Sequence, residues 1–431
     1  MPMNATKYLT KGQNEIIRLA VPSILANLTI PLVGMVDTAI TGRISDAEGL
    51  AGIAIATTLF DLLYWNFGFL RLATGGLTAQ AFGAREDVQI SLILRKYSSI
   101  AFLGALGLLA IQKPFLDFVL PFFNCSPDTE AFARAYFSVR IWAAPATLLL
   151  MALKGWFIGM QNTVAPMVSD ITVNVVNIVF SIYLSLRTPL GILGVAYGTL
   201  IAQYSGLLVS LLFILFRYRN HLRFCNNAKL KYKTGSINFQ LIIRSVCFIL
   251  IYVGYTKFTA DHGAVQVATG TILMKLFMLF SYITDGFAYA AEALVGRFIG
   301  EGNRNRLKQT IVQLFIDSFA LSLIFTVIFS VCGNWSVSLM TTDSEVIAMG
   351  SSVLVYLIVM PLISAPAFIC DGIFVGAAAA RDICICMILS AVAFFTVYFL
   401  LFSYEYAVFA AYDVHLLVRS IYLTARCRTL I

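Results

Sequence analysis

Twelve apolar stretches follow one another along the chain with only short polar breaks between them, and each is long enough to cross a bilayer as a helix. The pattern predicts spans near 15–41, 47–77, 88–120, 128–158, 163–185 and 189–216, then near 236–260, 264–296, 308–333, 344–374, 382–403 and 407–427. One sizeable polar linker separates the sixth span from the seventh. It carries Arg217, Arg219, Arg223, Lys229, Lys231 and Lys233 and no acid. The linker, 217–235, divides the chain into two halves of six helices, 1–216 and 236–431.

An internal repeat supports that division. Gly155 and Gly159, in GWFIG of the fourth span, stand 217 residues before Gly372 and Gly376, in GIFVG of the tenth. The same offset carries Gly83, after the second span, onto Gly300, after the eighth. Halves with an even number of spans are parallel repeats, related by an axis along the membrane normal. The fold class expected is an all-α membrane protein of twelve transmembrane helices in two six-helix lobes around a central cavity.

Composition agrees with the pattern: 59% of residues are hydrophobic, 12% are charged, and the mean hydropathy is +0.85. The net charge of +8 needs no nucleic-acid partner to explain it. Basic residues collect before the first span (Lys7, Lys11) and after the even-numbered ones (Arg85, Arg95 and Lys96; Arg297, Arg304, Arg306 and Lys308; Arg381; Arg426 and Arg428). By the positive-inside rule both termini are expected in the cytoplasm, across an inner, cytoplasmic membrane. The first apolar run is too long for a secretory signal and lacks a cleavage site, so it reads as a retained helix. The eight cysteines are scattered, several within spans, and suggest packing and not a metal or disulfide framework. The isolated histidines His221, His262 and His415, with no P-loop and no nucleophile elbow, point away from an enzyme and from a cofactor. The chain is expected to act as a monomer on a small-molecule substrate.

The chemistry of such a chain lies in its intramembrane polar residues, whose burial must be rewarded. Asp37 stands in the first span, LAVPSILANLTIPLVGMVDTAITGRI, beyond Pro31 and between Arg18 and Arg43. It suits a cavity-lining helix bent at Pro31; a cap on the following loop is the plainer reading. In the fifth span Asp170, Asn174, Asn177 and Ser181 recur at steps of four, three and four and share one helix face. Interhelical hydrogen-bond glue and a binding surface both fit Asn174 and Ser181, while Asn177, at the centre, favours a site. The eighth span carries Tyr282, Asp285, Tyr289 and Glu292, with Lys275 further up. Lys275 can answer those acids or face Asp371 in the tenth span, and an ion-pair network across the second half is the alternative to a site. Arg71 and Lys154 have the same two readings.

VDTAITG at 36–42, GWFIGMQNTVAPM at 155–167 and SYITDGFAYAAEALVG at 281–296 together resemble the multidrug and toxic compound extrusion (MATE) family, in its DinF-like branch. The resemblance runs over nearly the whole chain. It implies a secondary antiporter with a V-shaped central cavity that exports drugs or metabolites, often cationic and amphipathic, against an inward proton or sodium gradient. In that pattern Asp37 is the cation-coupling acid and Asn177 its polar partner; Asp285 and Glu292 match the eighth helix. Ser181 stands where the family's fifth helix usually has an aspartate, and 236–256 holds no acid, which favours protons over Na+. A lipid-linked saccharide flippase is the rival with similar architecture. Its cavity should be strongly cationic, whereas Arg71 and Lys275 are balanced here by acids.

Overall fold

A computed structural model describes residues 2–44, 47–123, 125–222 and 228–430, apart from the side chains of residues 2–11, 38, 43, 44 and 47. The expected basic positions Lys7, Lys11, Arg43 and Arg223 therefore lie outside the described side chains. The described residues form fifteen α-helices: α1 (Pro2–Ile44), α2 (Ala47–Asn66), α3 (Phe69–Gly83), α4 (Asp87–Val119), α5 (Pro127–Arg140), α6 (Ala144–Gly159), α7 (Val164–Arg187) and α8 (Leu193–Arg217), then α9 (Thr234–Asp261), α10 (Ala264–Gly300), α11 (Arg304–Met340), α12 (Ser344–Ser352), α13 (Leu354–Gly376), α14 (Ala380–Leu400) and α15 (Ala407–Cys427). Pairs α2/α3, α5/α6 and α12/α13 are single spans broken in mid-course, so twelve crossings result, as the hydrophobic pattern predicts. Eleven of them are long and apolar enough to cross a membrane by composition. The twelfth, α15, carries Asp413, His415, Arg419 and Arg426.

One of the interior breaks, and the prolines inside α13, can be followed bond by bond. Pro145 has no N–H to offer the carbonyl of Ile141, and a 3₁₀ turn at Ile141–Ala143 meets that need by turning the N–H of Ala144 onto it. In α13, Pro361 and Pro366 interrupt the helical ladder. The hydroxyl of Ser420 on α15 enters the gap: the Ala367 N–H donates to Ser420 Oγ at 3.2 Å, and Ser420 Oγ donates to the Ile363 carbonyl. Ser318 of α11 donates to the Ala365 carbonyl at 3.1 Å. Neighbouring hydroxyls thus replace bonds that proline removes within an apolar span.

The chain packs as two compact units. Leu25–Phe82 with Glu86–Tyr232 form the first; Met1–Ile24 and Gly83–Arg85 with Lys233–Ile431 form the second. The unit changes after Tyr232, inside the basic linker, and α1 contributes residues to both. Each unit buries an apolar interior; in the second, Phe280, Leu273, Phe394, Phe409 and Met360 are at its centre.

The 217-residue repeat recurs in the packing. A Cβ on Gly155 would collide with the Arg71 carbonyl, and one on Gly372 with the Ala288 carbonyl. Gly159 meets Gly75 in the same way, and Gly376 meets Glu292. Left-handed residues obey the same register: Gln161 (φ 59°) with Ala378 (φ 54°), and Arg85 (φ 58°) with Gly302 (φ 67°). These glycines let paired helices touch backbone to backbone, as small residues do in membranes. Gly155→Val and Gly372→Val should each cost about 1–3 kcal/mol or more, read as a lowered thermal midpoint in detergent. Gly107→Val, where nothing lies within 4 Å, should leave the midpoint unchanged.

Candidate functional site

In the first unit α7 presents its polar stripe to three neighbours. Asp170 forms an ion pair with Lys154 of α6 at 2.6 Å. Asn174 Nδ2 donates to Thr29 Oγ1 on α1. Asn177, 3% exposed, donates through Nδ2 to Thr199 Oγ1 of α8 at 2.9 Å. Ser181 is fully buried where Gly198 of α8 leaves no room for a Cβ, and its hydroxyl is a neighbour of the Asp37 carboxyl. The stripe is therefore interhelical glue at Asp170 and Asn174, and toward Ser181 it comes beside the acid of α1. Asn177 reaches the region of Asp37 through Thr199 and its neighbours, not by a direct bond.

The cation of this site is Arg140. It is the last residue of α5, where the helix leaves unpaired carbonyls and favours positive charge. Its guanidinium lies 4.8 Å from the centroid of Phe60 and 5.8 Å from that of Tyr136, and Nη1 donates to Thr57 Oγ1 at 3.4 Å. Two acids lie within its electrostatic reach, half-buried Asp37 on α1 and exposed Asp61 on α2. The Tyr136 hydroxyl sits between Arg140 and Thr199, extending the network to Asn177. Two carboxylates and one guanidinium leave one negative charge when all are ionised. Among the described residues Asn177 Oδ1 is buried with no hydrogen-bond partner, and the buried Asp37 Oδ1 and Ser181 Oγ have no partner beyond the closeness of the two side chains to each other.

In the second unit Asp371 is held by Arg244 of α9 at 2.9 Å and by Arg419 of α15. This corrects the pairing of Asp371 with Lys275, which is exposed on α10. The reason is geometric: α13 packs on α15 as well as on α10, and sequence spacing within one helix cannot report that choice. Asp285 lies beside Tyr282 on α10. Glu292 is 1% exposed, with its backbone carbonyl against Gly376. The sequence pattern singles out neither Asp61 nor Arg140, and so leaves Asp37 as the sole acid of its neighbourhood; Asp61 corrects this. Both residues, with Arg244, Asp413 and Arg419, are ionisable groups inside spans, the signal that marks Asp37. Asp371→Asn strands Arg419, 4% exposed, without a counter-charge, a loss on the order of 3–5 kcal/mol. Arg244→Gln leaves the Asp371–Arg419 pair in place, so its thermal midpoint should fall less.

The sequence model of the MatE family matches residues 22–183 and 241–400, one segment in each half. DNA damage-inducible protein F of Escherichia coli is 30% identical over 427 residues, which cover 97% of this chain and 92% of that protein. Multidrug and toxin extrusion protein 1 of Rattus norvegicus is 24% identical over 379 residues, 86% of this chain and 67% of that one. A MATE crystal structure in the bent conformation superposes with a TM-score of 0.88 at 16% identity, over 97% of this chain and 96% of that one, which concerns the fold. The chain belongs to the MatE family of membrane transporters.

Proposed function

We propose that the protein is a secondary antiporter that exports small amphipathic or cationic organic compounds in exchange for protons, with Asp37 as the proton carrier. The observation that carries this reading is the charge balance around Arg140, where Asp37 and Asp61 together exceed the one cation found there among the described residues. A proton on Asp37 neutralises the excess. It also removes the electrostatic attraction of Asp37 for Arg140 of α5. Loss of that attraction gives α1 a reason to move, because a ligand shifts a conformational equilibrium only through interactions that differ between states. The relatives named for multidrug and toxin extrusion support the direction and the substrate class. In this reading the protein is not an enzyme, needs no cofactor, works as a monomer in the cytoplasmic membrane, and keeps both termini in the cytoplasm.

Sodium is the second reading, favoured by the buried oxygens of Asp37, Asn177 and Ser181. A sodium ion asks for several oxygens and enough negative charge to replace its hydration, whereas a proton asks for one basic oxygen. Serine at 181 gives an oxygen without charge, and Arg140 already spends part of the available negative charge, so the proton is the better fit.

In proteoliposomes, export should follow an imposed pH gradient and ignore a sodium gradient. Asp37→Asn should insert normally and reduce gradient-driven export to background, while Ser181→Asp should raise the response to sodium. Sodium-driven export by the unmodified protein at equal pH would replace the proton reading, and full activity of Asp37→Asn would move the coupling acid to Asp285 or Glu292.

A further inference from the structure

We propose that Asp413 is a second proton-binding group of the protein, carried by the last helix and separate from the Asp37 site. Asp413 stands in the second turn of α15, inside the last span. Its Oδ1 is buried and has no hydrogen-bond partner among the described residues. No cation among the described residues forms an ion pair with it: Arg419, on the same helix, and Arg244, on α9, are both bound to Asp371. His415 turns Nδ1 onto the Tyr412 carbonyl.

The groups that face Asp413 are tyrosines. Tyr255 comes from α9, Tyr356 from α13 and Tyr412 from α15 itself, each within electrostatic reach of it. Their hydroxyl protons are directed elsewhere where the bonding is defined. Tyr255 donates to the Gly270 carbonyl at 3.1 Å, and Tyr356 is bonded to Tyr404. From α14, also packed on α15, Cys386 reaches the Arg419 carbonyl and Asp382 pairs with Arg426, so neither answers Asp413. An ionised carboxylate there has one oxygen out of water with neither a counter-charge nor a donor among the described residues, a costly arrangement for a buried polar atom. Protonation removes that charge. The residue keeps partial exposure, so its carboxyl can pass the proton to water as the carboxylate forms, and take it back. Each unit of the protein then has its own protonatable acid, answered by Arg140 in the first unit and by no cation in the second.

Infrared difference spectroscopy of the purified protein in detergent at neutral pH tests this without any transported compound. Wild type minus Asp413→Asn should show a protonated-carboxyl C=O band that disappears in the variant and persists in Asp37→Asn. Asp413→Glu keeps the acid at the same helix position and should retain the band at a shifted frequency, which serves if the asparagine variant fails to insert. Spectra that superimpose in the protonated-carboxyl region, for Asp413→Asn and for Asp413→Glu alike, would overturn the proposal, and a carboxylate band that responds to added sodium or potassium would assign Asp413 to a metal cation instead. Because each substitution removes its own band, failure at Asp413 leaves the reading of Asp37 untouched.

Discussion

A guanidinium inside a membrane span constrains everything near it, and in the first unit that guanidinium is Arg140. An unanswered charge there would cost several kcal/mol, so acids, aromatic faces and helix ends must be brought to it. The chain supplies all three: Asp37 and Asp61 answer the charge, Phe60 and Tyr136 lie against the guanidinium, and Arg140 itself stands at the C-terminal end of α5. The 3₁₀ turn caused by Pro145 places that helix end in mid-span, where a continuous helix would have none. Proline, turn, cation and acids are parts of one arrangement. Its result is an acid on α1, Asp37, whose charge is felt by Arg140 of α5.

The two units share a backbone plan and differ in their polar interiors. The same register places Gly155 on Arg71 and Gly372 on Ala288, and repeats two left-handed turns. At one repeat position the charge is reversed: Lys154 in the first unit pairs with Asp170, and Asp371, 217 residues on, pairs with Arg244 and Arg419. Close helix contacts depend on small residues at fixed places and tolerate little change. A buried ion pair needs only that both partners change together, so the interior is free to diverge while the helix contacts stay fixed.

Much of the fold is legible in the sequence because membrane spans are long and apolar, and the glycine offset is visible without knowing which helices touch. The stripe of α7 is legible for the same reason, since its period belongs to a single helix. What a lone helix cannot reveal is its partner. Lys275 and Asp371 are both ionisable and both in spans, yet Asp371 turns to Arg419 because α13 lies against α15. Asp61 and Arg140 sit in stretches whose composition is dominated by apolar residues, and only tertiary structure shows that they share a neighbourhood with Asp37. The mid-span breaks depend on hydroxyls such as Ser420, donated from helices far away in sequence.

The central claim is that the balance of two acids against Arg140 sets the transport chemistry of the first unit. Export driven by a pH gradient in proteoliposomes, compared between Arg140→Gln and the double variant Arg140→Gln/Asp61→Asn, tests it most directly. The account predicts that the single variant, with one negative charge too many, loses at least about tenfold in rate, and that the double variant, with the original balance restored, recovers most of it. A single variant that exports normally, or a double variant no better than the single, would contradict the account.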